Sequence, residues 1–258
     1  MLKIRIIPTL LWKDYGLVKG IGFDSWRRVG SVLPSIKVYT AREVDELILV
    51  DITASRDNRE PDYDSIKDFC FECSVPMCVG GGIRNLEQVR KLLRVGADKV
   101  SINSAAFDAP NLISQIALNF GTQCVVASID VKKNIDGHYV CMSRSGTHLT
   151  AHNPVEWAKQ MEERGAGEIL LTSIDRDGTM QGYDLELIKA VSSAVSIPVI
   201  ASGGAGDFEH MFEAITIGGS SAVAAASIFQ FTEKTPLEAK VYLKKKGIQV
   251  RLDGLLKV

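Results

Sequence analysis

Eight short apolar runs of strand length alternate with helical stretches along this chain, and that alternation limits the folds open to it. The runs cover residues 4–11, 46–52, 77–79, 99–102, 124–129, 168–173, 198–201 and 222–226. Several are apolar nearly throughout, as parallel strands covered on both faces should be. Between them, residues 85–95, 154–164, 184–194 and 207–216 carry helical patterns. Eight such units in an α/β chain of 258 residues predict a closed (β/α)8 TIM barrel rather than a doubly wound sheet. A dinucleotide-binding open sheet would place G-x-G-x-x-G after its first strand, and no such sequence follows residues 4–11. Residues 1–258 are expected to form one barrel domain.

The chain also repeats itself. Glu46-Leu47-Ile48-Leu49 matches Glu168-Ile169-Leu170-Leu171, Ser74-Val75-Pro76 matches Ser196-Ile197-Pro198, Gly81-Gly82 matches Gly203-Gly204, and Gly96 matches Gly218. All four matches share an offset of 122 residues, nearly half the chain. A common offset predicts two similar half-barrels, each of about four βα units.

Composition excludes several classes. Lys and Arg total 30 and Asp and Glu 31, a net charge of −1, so no basic excess points to nucleic acid. Lys244-Lys245-Lys246 reads as a solvated helix end. No apolar stretch approaches a membrane span. The start, Met1-Leu2-Lys3-Ile4-Arg5, has charge within its short apolar run and lacks the form of a signal peptide. Five cysteines without framework spacing suit a reducing cytoplasm. Cys70 and Cys73 form a C-x-x-C pair near Cys78, but a zinc site would want a second such pair or a nearby His. They are expected to be small packed residues on a helix and the next strand, and neither a metal nor a cofactor is expected.

Two glycine clusters carry the first chemistry. Gly80-Gly81-Gly82 follows a strand and precedes a helix, and Gly203-Gly204-Ala205-Gly206 does the same. Glycine lets backbone approach a ligand closely, and N–H groups at a helix start favour an anion. Asn103-Ser104 and Ala226-Ser227, each after a strand, fit as their partners. In a barrel these loops share the C-terminal face, so the repeat predicts two phosphate sites across one mouth. A ligand phosphorylated at both ends would fit.

These stretches closely resemble the cyclase subunit of imidazole glycerol phosphate synthase, the HisF family, over nearly the whole chain. The most specific are Asp51-Ile52-Thr53-Ala54-Ser55, Val79-Gly80-Gly81-Gly82-Ile83, Gly96-Ala97-Asp98-Lys99-Val100-Ser101-Ile102-Asn103, Leu171-Thr172-Ser173-Ile174-Asp175-Arg176-Asp177-Gly178-Thr179 and Ala201-Ser202-Gly203-Gly204-Ala205-Gly206. The resemblance implies a heterodimer with a HisH-like glutaminase, whose ammonia reacts with phosphoribulosyl-formimino-AICAR bisphosphate to give imidazole glycerol phosphate and AICAR in histidine biosynthesis. It implies that Gly82, Asn103 and Ser104 bind one phosphate and that Asp177, Gly178, Gly204, Ala226 and Ser227 line the other. Lys19, Asp51, Thr172 and Ser202 fall at further mouth positions. Arg5, Glu46, Lys99 and Glu168 match a charged ring that gates an ammonia passage at the N-terminal face, and Asp98 matches a position facing the glutaminase.

One catalytic position departs. The resemblance implies two aspartates as general acid and base, and Asp130 is one of them. The other position is held by Leu11, in Thr9-Leu10-Leu11-Trp12-Lys13-Asp14-Tyr15-Gly16. Leucine exchanges no proton, and losing acid–base help typically costs ~10²–10⁴-fold. Asp14 lies in the loop beyond the strand and is a poor substitute. Trp12, Tyr15 and Trp26 also stand where smaller or polar residues are usual. An intact floor under an altered mouth resembles the acetamidino-modification branch found with surface-polysaccharide genes. That branch is thought to work with a glutaminase and a separate sugar amidotransferase in O-antigen or lipopolysaccharide synthesis. The leading expectation is ammonia delivery for acetamidino-sugar formation with cyclase activity lost. The alternative is the authentic histidine-pathway cyclase subunit.

Overall fold

The computed structural model describes residues 3–14, 16–42 and 44–252; Tyr15 lies outside them. In chain order the strands are β1 (Arg5–Lys13), β2 (Gly16–Ile21), β3 (Asp24–Gly30), β4 (Leu47–Asp51), β5 (Met77–Gly80), β6 (Lys99–Ile102), β7 (Val125–Lys133), β8 (Tyr139–Ser143), β9 (His148–Leu149), β10 (Glu168–Ser173), β11 (Val199–Ser202) and β12 (Ala222–Ala225). The helices are α1 (Val32–Ala41), α2 (Tyr63–Phe71), α3 (Leu86–Arg94), α4 (Ser104–Asp108), α5 (Asn111–Phe120), α6 (Pro154–Glu163), α7 (Leu185–Ser192), α8 (Phe208–Thr216), α9 (Ser227–Phe231) and α10 (Pro236–Lys245).

Eight of the strands pair in parallel in the order β1, β4, β5, β6, β7, β10, β11, β12, and β12 returns to β1. The fold is therefore a (β/α)8 TIM barrel, with helices between its strands. Strand parity divides β1 cleanly. Ile6, Leu10 and Trp12 face the helices in the large outer core, while Ile7 joins Ile48, Cys78, Val126, Leu170, Ile200, Ala222 and Ala224 inside the barrel. Helix starts are set by side-chain caps. Asn85, Asn153, Asp184 and Asp207 each accept a backbone N–H from the first turn of α3, α6, α7 and α8. These caps explain why the four helical patterns were legible to within a few residues.

Two departures from the sequence reading matter for the mouth. The first strand runs on to Lys13 rather than ending at residue 11, and β7 runs on to Lys133 rather than ending at residue 129. Each then turns back as a hairpin that the sequence did not disclose. Strands β2 and β3 pair antiparallel beyond β1, and β8 and β9 do so beyond β7. Consequently Trp12 is not a loop residue. It is a buried strand residue, with its ring edge-to-face on Phe69 at 5.3 Å and its Nε1 donating to the Asp14 carbonyl at 3.1 Å.

The cysteines are thiols. Cys70, on α2, lies 3.8 Å from the Met77 sulfur, and burial pushes its thiol pKa up to about 12. Cys78 is wholly buried inside the barrel, and burial holds its thiol protonated. Among the described residues no cluster of His, Cys, Asp and Glu is arranged to hold a metal ion, and no helix is long and apolar enough to cross a membrane.

Candidate active site

The two ends of the barrel carry different chemistry. At the N-terminal end, Arg5, Lys99 and Glu168 open β1, β6 and β10, and Glu46 immediately precedes β4. Their side chains close a ring of alternating charge. Arg5 Nη1 lies 2.7 Å from Glu46 and 2.9 Å from Glu168, while Lys99 Nζ lies 3.0 Å from Glu46 and 3.1 Å from Glu168. Burial works against the Arg5 cation, but attraction to Glu168 and Glu46 outweighs it and raises its pKa. Both acids are thus paired twice, which is what makes four largely buried charges tolerable. Asp98, next to Lys99 in the chain, is exposed, and its Oδ2 accepts the Met77 N–H at 2.8 Å.

At the C-terminal end a pocket opens into the barrel. Its walls include Gly82, Asn103, Ser104, Asp177, Gly178, Gly204, Ala226 and Ser227, together with Lys19, Asp51, Asp130, Thr172 and Ser202. Every mouth residue singled out from the sequence is therefore on one surface. Leu11 lines the same pocket, on β1, opposite β7 in the eight-strand order. The apolar side chain thus occupies the mouth across from Asp130.

Asp130 is buried on β7, beside Thr172 of β10. Desolvation, helped by the nearby negative charge of Asp177 and opposed by the Thr172 hydroxyl, pushes its carboxyl up to about 7. A carboxyl poised there can give or take a proton near neutrality. Asn103 fixes its orientation. The Asn103 amide donates to Asp130 Oδ2 at 3.2 Å and to the backbone carbonyls of Ser128 and Met142 at 3.1 and 3.2 Å. The Asn103 amide nitrogen is thus shared between the acid and two backbone carbonyls. The Ser104 hydroxyl donates to Asn103 Oδ1 and accepts the Arg144 N–H.

The glycine clusters adopt matching conformations. Gly81 and Gly82 have φ of +104° and +73°, and Gly203 and Gly204 have φ of +89° and +110°. At Gly204 a Cβ would lie 2.1 Å from the Gly182 carbonyl oxygen, so the turn admits no side chain. Asp51 organises the loop that packs on the first cluster. Its Oδ1 accepts the N–H groups of Thr53 and Ala54 at 3.0 Å, and Arg59 Nη2 lies 3.1 Å from its Oδ2.

Lys19 enters from β2. Its Nζ lies 2.8 Å from Asp177 Oδ1 in a buried ion pair, while the Gly22 N–H donates to the Asp177 carbonyl at 2.9 Å. The first hairpin is thus fastened to the loop after β10. Its turn residue Phe23 touches the space at Gly146, the turn of the second hairpin, and Ser145 Oγ of that turn donates to the Ile52 carbonyl at 2.6 Å. Phe23, Ser55, Trp26 and Ser145 also line the pocket. Of these, Trp26 and Ser55 (within Asp51–Ser55) stood out in the sequence, and Phe23 and Ser145 did not; Arg144-Ser145-Gly146 carries a turn signal that could have disclosed the second hairpin.

A sequence profile described as histidine biosynthesis protein matches residues 5–235. The chain is similar to proteins named imidazole glycerol phosphate synthase subunit HisF. It is 49% identical to that of Chlorobaculum parvum, and 48% to those of Chlorobium luteolum and Chlorobaculum tepidum. Each match covers 98% of this chain and the whole of the relative.

Proposed function

The chain belongs to the HisF family of histidine biosynthesis proteins, and on that footing we propose that it is the barrel subunit of a glutamine-fed synthase. Ammonia from a HisH-like glutaminase, the other half of a heterodimer, enters at the floor and meets a phosphorylated small molecule at the mouth. One observation carries the reading: the four-charge ring and the Asp130 pocket lie at opposite ends of one barrel interior lined by apolar side chains. A neutral molecule the size of ammonia suits such a lining, because it carries no net charge to desolvate.

The reaction best supported is imidazole glycerol phosphate synthesis, the activity in the relatives' name; the family resemblance implies phosphoribulosyl-formimino-AICAR bisphosphate and ammonia as its substrates and AICAR as the other product. Near-half identity over the full length favours it. The paired glycine cradles suit a ligand with a phosphate at each end, held by Gly82 and Ser104 on one side and by Gly178, Gly204, Ala226 and Ser227 on the other. Asp130 supplies proton transfer, and Asn103 aims it.

Leu11 favours a second reading, in which the barrel conducts ammonia to a separate sugar amidotransferase for acetamidino-sugar formation in surface-polysaccharide synthesis. No feature of the relatives supports that use; the apolar group in the mouth is its sole support. The two separate in one assay. The unmodified chain and a Leu11→Asp variant are given the bisphosphate with ammonium chloride, and the release of AICAR is followed. Turnover by the unmodified chain is expected on the synthase reading. Turnover by Leu11→Asp alone would overturn it in favour of the second.

A further inference from the structure

Three residues that line the mouth carry buried oxygens without a hydrogen-bond partner: Thr9 Oγ1, Ser227 Oγ and Asp177 Oδ2. A serine hydroxyl can donate to a phosphate oxygen, so Ser227 suits the expected cradle. The aspartate does not, because an ionised carboxylate repels a phosphate oxygen and neither can donate a hydrogen bond to the other. Asp177 is only 8% exposed and its Oδ1 is held by Lys19. Its Oδ2 is thus a buried acceptor without a partner, on a residue that lines the mouth, and it suits an N–H or O–H donor of a ligand that reaches it. The hairpin holds it there from two directions, through Lys19 and through the Gly22 N–H on its carbonyl.

We propose that Asp177 is the second proton-transfer carboxylate of this site, working with Asp130 in place of the group that Leu11 cannot supply. This rests on the reading that ammonia reacts at the mouth. Ammonia adds to a carbonyl carbon: the C–N bond forms and the C=O π bond opens, while Asp177 takes a proton from the nitrogen and Asp130 gives one to the oxygen, leaving a carbinolamine. Both carboxyls then exchange protons with solvent and return to their starting forms. The C–O bond breaks as Asp130 gives a second proton to the departing water, and the C=N bond forms as Asp177 takes a second proton from the nitrogen. Lys19 is a positioning residue: it holds the Asp177 charge and leaves one oxygen free. The division of labour follows the environments, since one carboxyl has a cation at 2.8 Å and the other has an amide, a hydroxyl and apolar walls.

The test has an arm that does not need turnover. In protein carrying ¹³C-labelled aspartate, the Asp130 carboxyl is titrated by NMR in the unmodified chain, in Asp177→Asn and in Lys19→Met. The groups that bear on Asp130 are Asp177, with its partner Lys19, the Thr172 hydroxyl, the Asn103 amide and the neighbouring Cys141 thiol of β8. Removing the Asp177 charge is expected to move the Asp130 midpoint down, and removing Lys19 to move it up. An Asp130 midpoint indifferent to both changes would overturn the pairing. The second arm follows ammonium-driven turnover of the bisphosphate. Asp177→Asn is expected to lose ~10²–10⁴-fold while Asp177→Glu keeps much of it, with inorganic phosphate binding retained in both. Loss of phosphate binding in step with turnover would assign Asp177 to ligand holding instead. A lack of turnover in the unmodified chain sinks the synthase reading, and the titration then decides the carboxylate pair alone.

Discussion

Lys240 of α10 and Asp45, the residue before Glu46, form a buried ion pair at 2.7 Å, and the second Asp45 oxygen accepts the Ile6 N–H at 2.8 Å. The last long helix is thereby tied to the floor beside the charged ring. Both side chains are almost fully buried. Removing one partner leaves an uncompensated buried charge, which costs roughly 3–5 kcal/mol. Lys240→Met should lower stability by about that amount, and the double variant Lys240→Met/Asp45→Asn should recover part of it. Urea unfolding of the four proteins of this cycle measures the coupling; strict additivity would refute it.

The ring itself makes a related prediction. Lys99→Met leaves Glu46 and Glu168 sharing Arg5 alone. Because the ring is partly open to solvent, the loss should fall at or below ~3 kcal/mol, the low end for buried pairs. Adding Glu168→Gln should return part of the stability. A loss that vanishes in 1 M salt would show the ring to be a screened surface cluster.

Asp130 predicts a pH dependence of opposite sense to most carboxylates. In the folded chain it ionises near pH 7, whereas an unfolded aspartate ionises near ~3.9. Between those values the folded chain holds a proton that the unfolded chain has lost. Its contribution to stability is therefore complete below pH ~4 and is lost as the pH rises to about 7. The gap corresponds to about 4 kcal/mol as an order of magnitude. Asp130→Asn, neutral at every pH, should gain in melting temperature relative to the unmodified chain on going from pH 5 to pH 8. A difference that stays constant across that range would show that Asp130 is ionised throughout.

Gly204→Ala tests the second cradle. Alanine at φ +110° is strained, and its Cβ would meet the Gly182 carbonyl at 2.1 Å. The left-handed conformation alone costs ~1–2 kcal/mol, and the contact adds to it. The variant should melt lower and bind inorganic phosphate more weakly at the mouth, read by calorimetry. Unchanged phosphate affinity in a destabilised protein would place anion binding elsewhere.

The barrel was legible because each βα unit follows local rules. Apolar runs such as 168–173 matched β10 to the residue, and Asn85 or Asp207 announced its helix by a cap. The ring was legible because Arg5, Glu46, Lys99 and Glu168 are charges at strand starts, where parity turns them inward. The hairpins after β1 and β7 were not legible. Their strands are short and mixed in polarity, and β3 reads as a polar segment, exposed along much of its length. Neither was the bond from Asn103, just past β6, to Asp130 of β7, which joins residues 27 positions apart. Asp45 and Lys240 lie 195 positions apart, and no local pattern marks them as partners.

The doubly bonded floor has a mechanical consequence. Arg5 and Lys99 each bridge the same two acids, so either cation can swing away while the other still spans Glu46 and Glu168. The floor is thus a redundant clasp: losing one cation leaves both acids tied to the barrel wall, and the circumference stays unbroken.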